Sequence, residues 1–132
     1  MKKVLEVRHL TKRYGQHLAL DNVNLTLEKG EVYGLIGRNG AGKTTLIKVI
    51  TKLTRPSQGS VSLFHSTSKS EWTHALKRVG SVIETPVALN HLNARQNLRY
   101  YCKIHHVPNP DKVIDEILDT VGLGTHWQEK IS

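Results

Sequence analysis

Eight consecutive residues in the first half of the chain have the spacing G-x-x-x-x-G-K-[ST], which suits the binding of phosphate groups. They are Gly37-Arg38-Asn39-Gly40-Ala41-Gly42-Lys43-Thr44. Backbone N–H groups must approach phosphate oxygens closely, and glycine permits this because it has no Cβ and tolerates positive φ. The pattern therefore predicts a loop that surrounds a phosphate with backbone donors.

The end of this motif supplies the side chains that a bound polyphosphate needs. Lys43 is placed to contact the β- and γ-phosphates as a point charge, Thr44 offers its hydroxyl to Mg²⁺, and Thr45 is expected at the α-phosphate. The first N–H groups of the helix that follows have no intrahelical acceptors, and the helix dipole adds partial positive charge there. We therefore predict a site for a magnesium-bound polyphosphate.

Such a loop needs a strand before it and a helix after it, and the sequence carries both patterns. The apolar run from Val32 to Gly37 predicts a strand that is covered on both faces. A helix over residues 43–53 would place four apolar residues on one side, namely Leu46, Ile47, Ile50 and Leu53. Further strands are predicted at residues 4–7, 20–27, 60–63 and 79–83, and a short helix at 71–78. Beyond Pro86 the chain is predicted to be helical, with one apolar stripe within residues 94–101 and a second within 113–121. The last helix has Asn109 as its N-cap, Pro110 at its first position and Gly122 or Gly124 at its C-terminal cap.

Composition limits the classes of protein that the chain can belong to. With 132 residues, of which 38% are apolar and 23% charged, the chain is expected to form one soluble globular domain. It has no apolar run near the ~20 residues of a membrane span, which predicts a cytosolic protein or one held at a membrane by a partner. Cys102 is the only cysteine, so an internal disulfide and a thiolate zinc pair are excluded. The net charge of +8 is scattered without an aromatic recognition motif, which argues against direct nucleic-acid binding.

Several segments together resemble the opening of the ATP-binding subunits of ABC transporters. They are Leu10-Thr11-Lys12-Arg13-Tyr14-Gly15, Ala19-Leu20-Asp21-Asn22-Val23, Gly30-Glu31-Val32-Tyr33-Gly34-Leu35-Ile36, the loop itself with Thr45-Leu46, and Pro56-Ser57-Gln58-Gly59-Ser60-Val61. The resemblance implies an α/β fold, with an incomplete P-loop NTPase core, an antiparallel N-terminal β subdomain and the start of a helical subdomain. Residues 1–132 would form the N-terminal part of one ATP-binding domain. Glu84-Thr85-Pro86 and the segment 92–98 resemble the subgroup that exports bacitracin-like and lantibiotic peptides.

The same resemblance implies roles for two residues outside the loop. Tyr14 stands where the family stacks an aromatic ring on adenine, for which a ring face is chemically suited. Glu84 stands where the family usually has Gln, at the Mg²⁺ ion or the attacking water. A carboxylate binds Mg²⁺ more strongly than an amide but repels the γ-phosphate when the metal is absent.

The implied site thus binds Mg²⁺ and ATP. Its catalytic residues are Lys43 and Glu84, its metal ligands are Thr44 and Glu84, and its nucleotide-binding residues are Tyr14, Gly37, Arg38, Asn39, Gly40, Ala41, Gly42, Lys43, Thr44 and Thr45. The implied partners are a second ATP-binding subunit and transmembrane permease subunits, which would hold the protein on the inner face of the cell membrane.

Three further family motifs are absent from the sequence: the signature loop L-S-G-G-Q, the apolar strand that ends in Asp-Glu, and the later His. Asp115 and Glu116 are the nearest approach to the Asp-Glu pair, but their helical setting indicates surface carboxylates. We therefore predict that this chain does not hydrolyse ATP by itself, either as a fragment of a longer protein or as a truncated gene product. Two alternatives stay open: a nucleotide-binding or regulatory module that never hydrolyses, and a soluble ABC protein acting on ribosomes or DNA.

Overall fold

The computed structural model describes residues 2–85, 87–124 and 128, and it divides the chain into two compact units, Met1–Thr85 and Pro86–Ser132. The first unit contains β1 (Lys3–Tyr14), β2 (His17–Glu28), α1 (Lys43–Ile50), β3 (Gln58–Leu63) and α2 (Lys69–Leu76). The second contains α3 (Ala94–Ile104) and α4 (Pro110–Thr120). The predicted domain over residues 1–132 also includes 125–127 and 129–132, which lie outside the described residues.

The three strands form one antiparallel sheet in the order β2-β1-β3. β1 and β2 are joined by a two-residue turn, so that Tyr14 pairs with His17 at the end of the hairpin. On the other side of β1, Leu5 pairs with Leu63 and Val7 pairs with Val61. The predicted antiparallel N-terminal β subdomain is therefore present.

The core of the first unit lies between this sheet and α1. Its buried members come from all three strands and the helix, and they are Val7, Leu10, Leu20, Leu46, Val49 and Val61. Leu5, Val23, Leu25, Ile50 and Trp72 pack against them from partly buried positions. Alternate residues of a strand point to the same side of the sheet, and residues three apart lie on the same face of a helix. One face of the sheet and one face of α1 therefore supply this core. This packing fixes the start of α1, where the predicted phosphate loop ends.

Gly59 allows β3 to lie close to β1. Its φ is +84°, and a Cβ built there would lie 2.3 Å from the carbonyl oxygen of His9 and 2.5 Å from that of Arg8. No side chain fits such a space, because heavy atoms cannot approach to that distance without a shift of the backbone. Gly59, the second residue of β3, is thus required by packing as well as by its backbone angle.

The second unit is a helical pair with its own small core. Cys102, Ile114 and Leu118 are buried, and Ala94, Leu98 and Val107 pack against them. Ion pairs join the two helices at Arg95–Asp115 and Arg99–Asp111. The predicted ends of α4 are confirmed, since Pro110 is its first residue, Asn109 its N-cap, and Gly122 the positive-φ residue that follows its C-cap. None of the helices in the described part of the chain is both long and apolar enough to span a membrane.

Two predicted strands are not formed, and α1 is shorter than predicted. Residues 32–37 and 79–83 have no strand pairing, because no other described segment lies alongside either of them to complete a ladder. Val32 and Ile36, predicted to be covered on both faces, are each 97% exposed. α1 ends at Ile50 instead of Leu53, since Lys52 adopts a φ of +61° that no helix can continue.

Candidate functional site

The predicted phosphate loop, residues 37–44, follows a segment without regular secondary structure and runs into the first turn of α1. Its backbone turns twice through positive φ, at Gly40 (+84°) and at Gly42 (+96°). The N–H of Ala41 donates to the carbonyl of Arg38 across 3.0 Å, which closes the turn. Gly40 and Gly42 thus adopt the positive φ that glycine was predicted to allow in this loop, whereas Gly37 is not among the positive-φ residues.

Gly42 is also constrained by the neighbouring strand. A Cβ at this position would lie 2.3 Å from the carbonyl oxygen of Ala19 and 2.9 Å from Cδ2 of Leu20. Because Ala19 and Leu20 belong to β2, the loop can pass this close to the sheet only with glycine here. The close approach brings the start of α1 beside the β1–β2 hairpin.

Helix α1 begins without a competing acceptor for its first N–H groups. Gly42 is the N-cap and has no side chain to cap the helix, and the first turn contains no acidic residue. The first intrahelical bond runs from the N–H of Leu46 to the carbonyl of Gly42, over 2.8 Å. The N–H groups of residues 43–45 precede this bond, and together with the helix dipole they favour an anion at this end.

The ammonium group of Lys43 is folded back over the loop. Nζ donates to the carbonyl oxygen of Arg38 at 2.8 Å and also to that of Gly37. Both acceptors of the Lys43 ammonium group are neutral carbonyl oxygens of the loop itself. An anionic oxygen is a stronger acceptor for an ammonium group than a carbonyl oxygen, so a phosphate could displace either contact.

A concavity of about 350 Å³ joins the loop to the end of the β1–β2 hairpin. Its lining residues are Tyr14, His17, Ala19, Asn39, Gly40, Gly42, Lys43, Thr44 and Thr45. An aromatic ring therefore lies in the same depression as the lysine and the two threonines at the start of α1. The volume is within the range of small-molecule sites.

His17 and Ala19 were not predicted as site residues, although the hairpin places them there. Tyr14 of β1 and His17 of β2 pair directly across the two-residue turn, so both residues lie at the end of the hairpin that borders the concavity. Two strands joined by a single glycine-containing turn were the signal that could have identified His17. Ala19 is close because the loop passes over it at Gly42.

Seven of the ten predicted nucleotide-binding residues, Tyr14 included, line this concavity, and three do not. Gly37, Arg38 and Ala41 belong to the loop but lie outside the lining, and all three are exposed. Gly37 and Arg38 act on the site through their carbonyls, which hold Lys43.

Glu84 lies elsewhere in the first unit. It adopts a φ of +64°, and its carboxylate is 3.4 Å from Nζ of Lys48 on α1. Its side chain is mostly exposed and does not line the concavity. Among the residues that the structure describes, no group of three or more His, Cys, Asp and Glu side chains could hold a metal ion.

Comparison with models of known protein families identifies the family of this chain. A family model described as "ABC transporter" matches residues 20–132, which is most of the chain. The chain belongs to the ABC transporter family. The resemblance predicted from the sequence is therefore confirmed for an ABC protein.

Curated relatives of the chain include ATP-binding proteins of bacitracin and lantibiotic transport. The bacitracin transport ATP-binding protein BcrA of Bacillus licheniformis is 37% identical over 123 residues, covering 93% of this chain and 40% of BcrA. The lantibiotic transport ATP-binding protein SrtF of Streptococcus pyogenes is 38% identical over 122 residues, covering 92% of this chain and 51% of SrtF. The chain thus spans about half or less of the length of these relatives.

Solved structures confirm the predicted α/β class. A structure described as the ATP-binding subunit of an ABC transporter superposes with a TM-score of 0.82 at 26% identity, covering 96% of this chain and 54% of that one. An ATP-binding cassette in a dimeric, post-hydrolysis state with ADP and phosphate gives a TM-score of 0.76 at 23% identity, covering 97% and 63%. The second likeness concerns the fold alone.

Proposed function

We propose that this chain binds ATP in the concavity between the β1–β2 hairpin and the start of α1. One observation carries the proposal: an aromatic ring, a glycine loop and the N-terminus of a helix meet in a single depression. Tyr14 would stack on the adenine base, and the loop and α1 would bind the phosphates.

Lys43 is proposed to exchange its two loop carbonyls for β- and γ-phosphate oxygens. The contacts to Gly37 and Arg38 hold the ammonium near the loop in the meantime, so little movement is needed. Backbone N–H groups of Gly40, Gly42 and the first turn of α1 would donate hydrogen bonds to the remaining phosphate oxygens. Catalysis of phosphoryl transfer depends on such positioning and charge neutralisation more than on covalent chemistry.

The donor set at this end of α1 fits a magnesium ion, which takes few protein ligands beside nucleotide oxygens and water. Thr44 lines the concavity next to Lys43 and presents a hydroxyl oxygen, so it is the proposed protein ligand. When bound, Mg²⁺ would neutralise the β- and γ-phosphate oxygens. Glu84 is proposed as a second ligand or as an aid to catalysis, which requires that its carboxylate leave Lys48.

We further propose that the whole protein couples ATP hydrolysis to transport, as a nucleotide-binding subunit with the present chain as the N-terminal part of its ATP-binding domain. The names of BcrA and SrtF support export of a peptide antibiotic as the class of transport. A second ATP-binding subunit and membrane-embedded permease subunits would be its partners, and they would hold it at the inner face of the membrane. The signature loop, Asp-Glu strand and switch His of the family do not occur within these residues.

Replacement of Lys43 tests the phosphate site. Lys43→Ala should weaken ATP binding by about 2–3 kcal/mol, because it removes a charged hydrogen-bond donor from the phosphates. Calorimetric titration with ATP and Mg²⁺ measures the change. Lys77→Ala is the matched control, since Lys77 is the C-cap of α2 and also carries one charge in the first unit. Equal affinities in parent and Lys43→Ala would remove the proposal.

Replacement of Tyr14 tests the base site separately. Tyr14→Ala should weaken ATP binding by about 1–3 kcal/mol, the scale of a base stacked on an aromatic side chain. Binding of inorganic triphosphate should be almost unchanged, since it has no base. A similar loss for both ligands would instead give Tyr14 a role in the fold.

Turnover tests the assignment of hydrolysis to the whole protein. We expect no ATPase activity above background from residues 1–132, because the sequence contains no family general base. Release of phosphate that disappears in Lys43→Ala would contradict this expectation and make Glu84 the first candidate for a base.

A further inference from the structure

Lys12 connects the aromatic ring of the site to the turn that follows α1. Its Nζ donates to the carbonyl oxygen of Arg55 at 2.7 Å and lies 4.8 Å from the centroid of the Tyr14 ring. The side chain is partly buried. One ammonium group thus contacts the ring and a backbone carbonyl 43 residues away in sequence.

The same turn is tied to the end of β1 by two further hydrogen bonds. The N–H of Ser57 donates to the carbonyl of Thr11 at 2.8 Å, and the N–H of Arg13 donates to Oγ of Ser57 at 3.0 Å. Residues 11–13, which immediately precede Tyr14, are therefore each hydrogen-bonded to this turn. This turn, at residues 55–57, follows α1 after residues 51–54, and the other end of α1 carries the phosphate loop. The two ends of the concavity are thus linked through one helix and one turn.

The Tyr14 ring keeps an exposed surface in addition to its contact with Lys12. Tyr14 is 46% exposed and lines the concavity with the loop, whereas Lys12 is not part of that lining. A ring face carries negative charge and attracts an ammonium group within about 6 Å. The ammonium group therefore contacts the ring without being part of the lining of the concavity.

We propose that Lys12 is a positioning residue that holds Tyr14 ready to stack on a purine base, and thereby makes the site prefer a nucleotide over a bare polyphosphate. The inference rests on the proposed ATP site and adds a residue that determines its base preference. Without the ammonium group the ring would be free to rotate. Binding of the base would then carry the entropy cost of fixing that side chain, which would lower the affinity for ATP. Phosphate binding would not change, because Lys12 does not contact the loop residues.

The experiment compares ATP with inorganic triphosphate, both with Mg²⁺, by calorimetry on the 132-residue chain. Lys12→Met should weaken ATP binding by about two- to fivefold, the range expected for a cation–π contact at a solvent-accessible site. Its triphosphate affinity should match that of Arg13→Met, which removes one charge from the neighbouring, exposed position of β1. Lys12→Arg should keep most of the preference for ATP, since a guanidinium can also stack on the ring and donate to a carbonyl.

A double-mutant cycle separates positioning from a general effect on the fold. If Lys12 acts through the ring, Lys12→Met should not weaken ATP binding further when Tyr14 is already alanine. An equal loss with and without the ring overturns the inference, as does a Lys12→Met variant that keeps the parent's ATP preference or loses both ligands equally. A parent that binds ATP no better than triphosphate would refute base stacking in the proposed function, which is a different failure.

Discussion

The three-stranded sheet and the segment 31–38 both contain apolar runs in the sequence but have opposite environments in the structure. Leu10 in β1 is completely buried, while Val32 and Ile36 are almost completely exposed. β1 has hydrogen-bonded partners on both sides, and residues 32–36 make no backbone hydrogen bond within the described part of the chain. Apolar sequence thus predicts a strand only where another strand can pair with it, because the ladder and the covering layer come from elsewhere in the chain.

This contrast also separates the two kinds of glycine in the first unit. Gly59 and Gly30 have the same φ of +84°, but a Cβ at Gly59 meets two carbonyl oxygens and one at Gly30 meets nothing within 4 Å. The first glycine is required by the pairing of β1 with β3, and the second only by a turn.

The largest expected effect is at this pairing. Gly59→Ala should lower the free energy of unfolding by about 4 kcal/mol, because the new methyl group forces β3 away from β1 and also strains the backbone. Gly30→Ala should cost only about 1–2 kcal/mol, the strain of positive φ alone. Urea denaturation of both variants measures the difference. Equal costs would mean that the close approach at Gly59 does not limit the sheet.

A smaller difference is expected between a paired strand and the unpaired segment. Leu10→Ala should cost about 3 kcal/mol, since it leaves a cavity in the core. Ile36→Ala should change the free energy of unfolding by less than about 0.5 kcal/mol, as is usual at exposed positions. The same denaturation experiment gives both values, and a large cost at Ile36 would show that the segment is covered in solution.

The unpaired segment should promote self-association of the 132-residue chain. Exposed N–H and C=O groups beside Val32 and Ile36 can pair with a second chain as a strand edge does. Ile36→Lys should raise the dissociation constant at least about tenfold, because edge lysines oppose such pairing. Light scattering over a range of concentrations measures this.

Leu53→Lys is the control for self-association, since Leu53 is also exposed but lies outside the segment. A parent that stays monodisperse and monomeric, with a cooperative thermal transition, would rule out this association.

The smallest effect concerns the cap of α2. Hydrogen bonds from the backbone N–H and the hydroxyl of Thr67, followed by that of the Ser68 N–H, hold the pKa of Glu71 below its ordinary value of 4.5. A lowered pKa in the folded state contributes stability above the unfolded value, and this contribution is lost as the pH falls through the folded value. Glu71→Gln should therefore lower the melting temperature at pH 7 more than at about pH 3. An equal difference at both pH values would contradict a charged cap.

Much of the local structure could be predicted because it depends on neighbouring residues. The cap and first turn of α4 were predicted at Asn109 and Pro110, and the glycines of the phosphate loop were predicted from spacing alone. The apolar face of α1 was partly wrong: Val49 is buried, whereas Leu53 is 68% exposed beyond the end of the helix. The rotation of α1 about its axis determines which of its residues face the sheet. That rotation depends on strand residues that are distant in sequence.

The phosphate loop could be predicted from the sequence by itself, since backbone freedom, positive charge and a hydroxyl group belong to its three glycines, Lys43 and Thr44 themselves. Only the tertiary structure decided that Tyr14 and His17 face the same concavity as this loop, and that Lys12 contacts both the ring and the turn after α1. It also decided that residues 32–37 form no strand, although their apolar sequence predicts one. The reason is physical: pairing, burial and the meeting of distant side chains require partners that a local pattern does not contain.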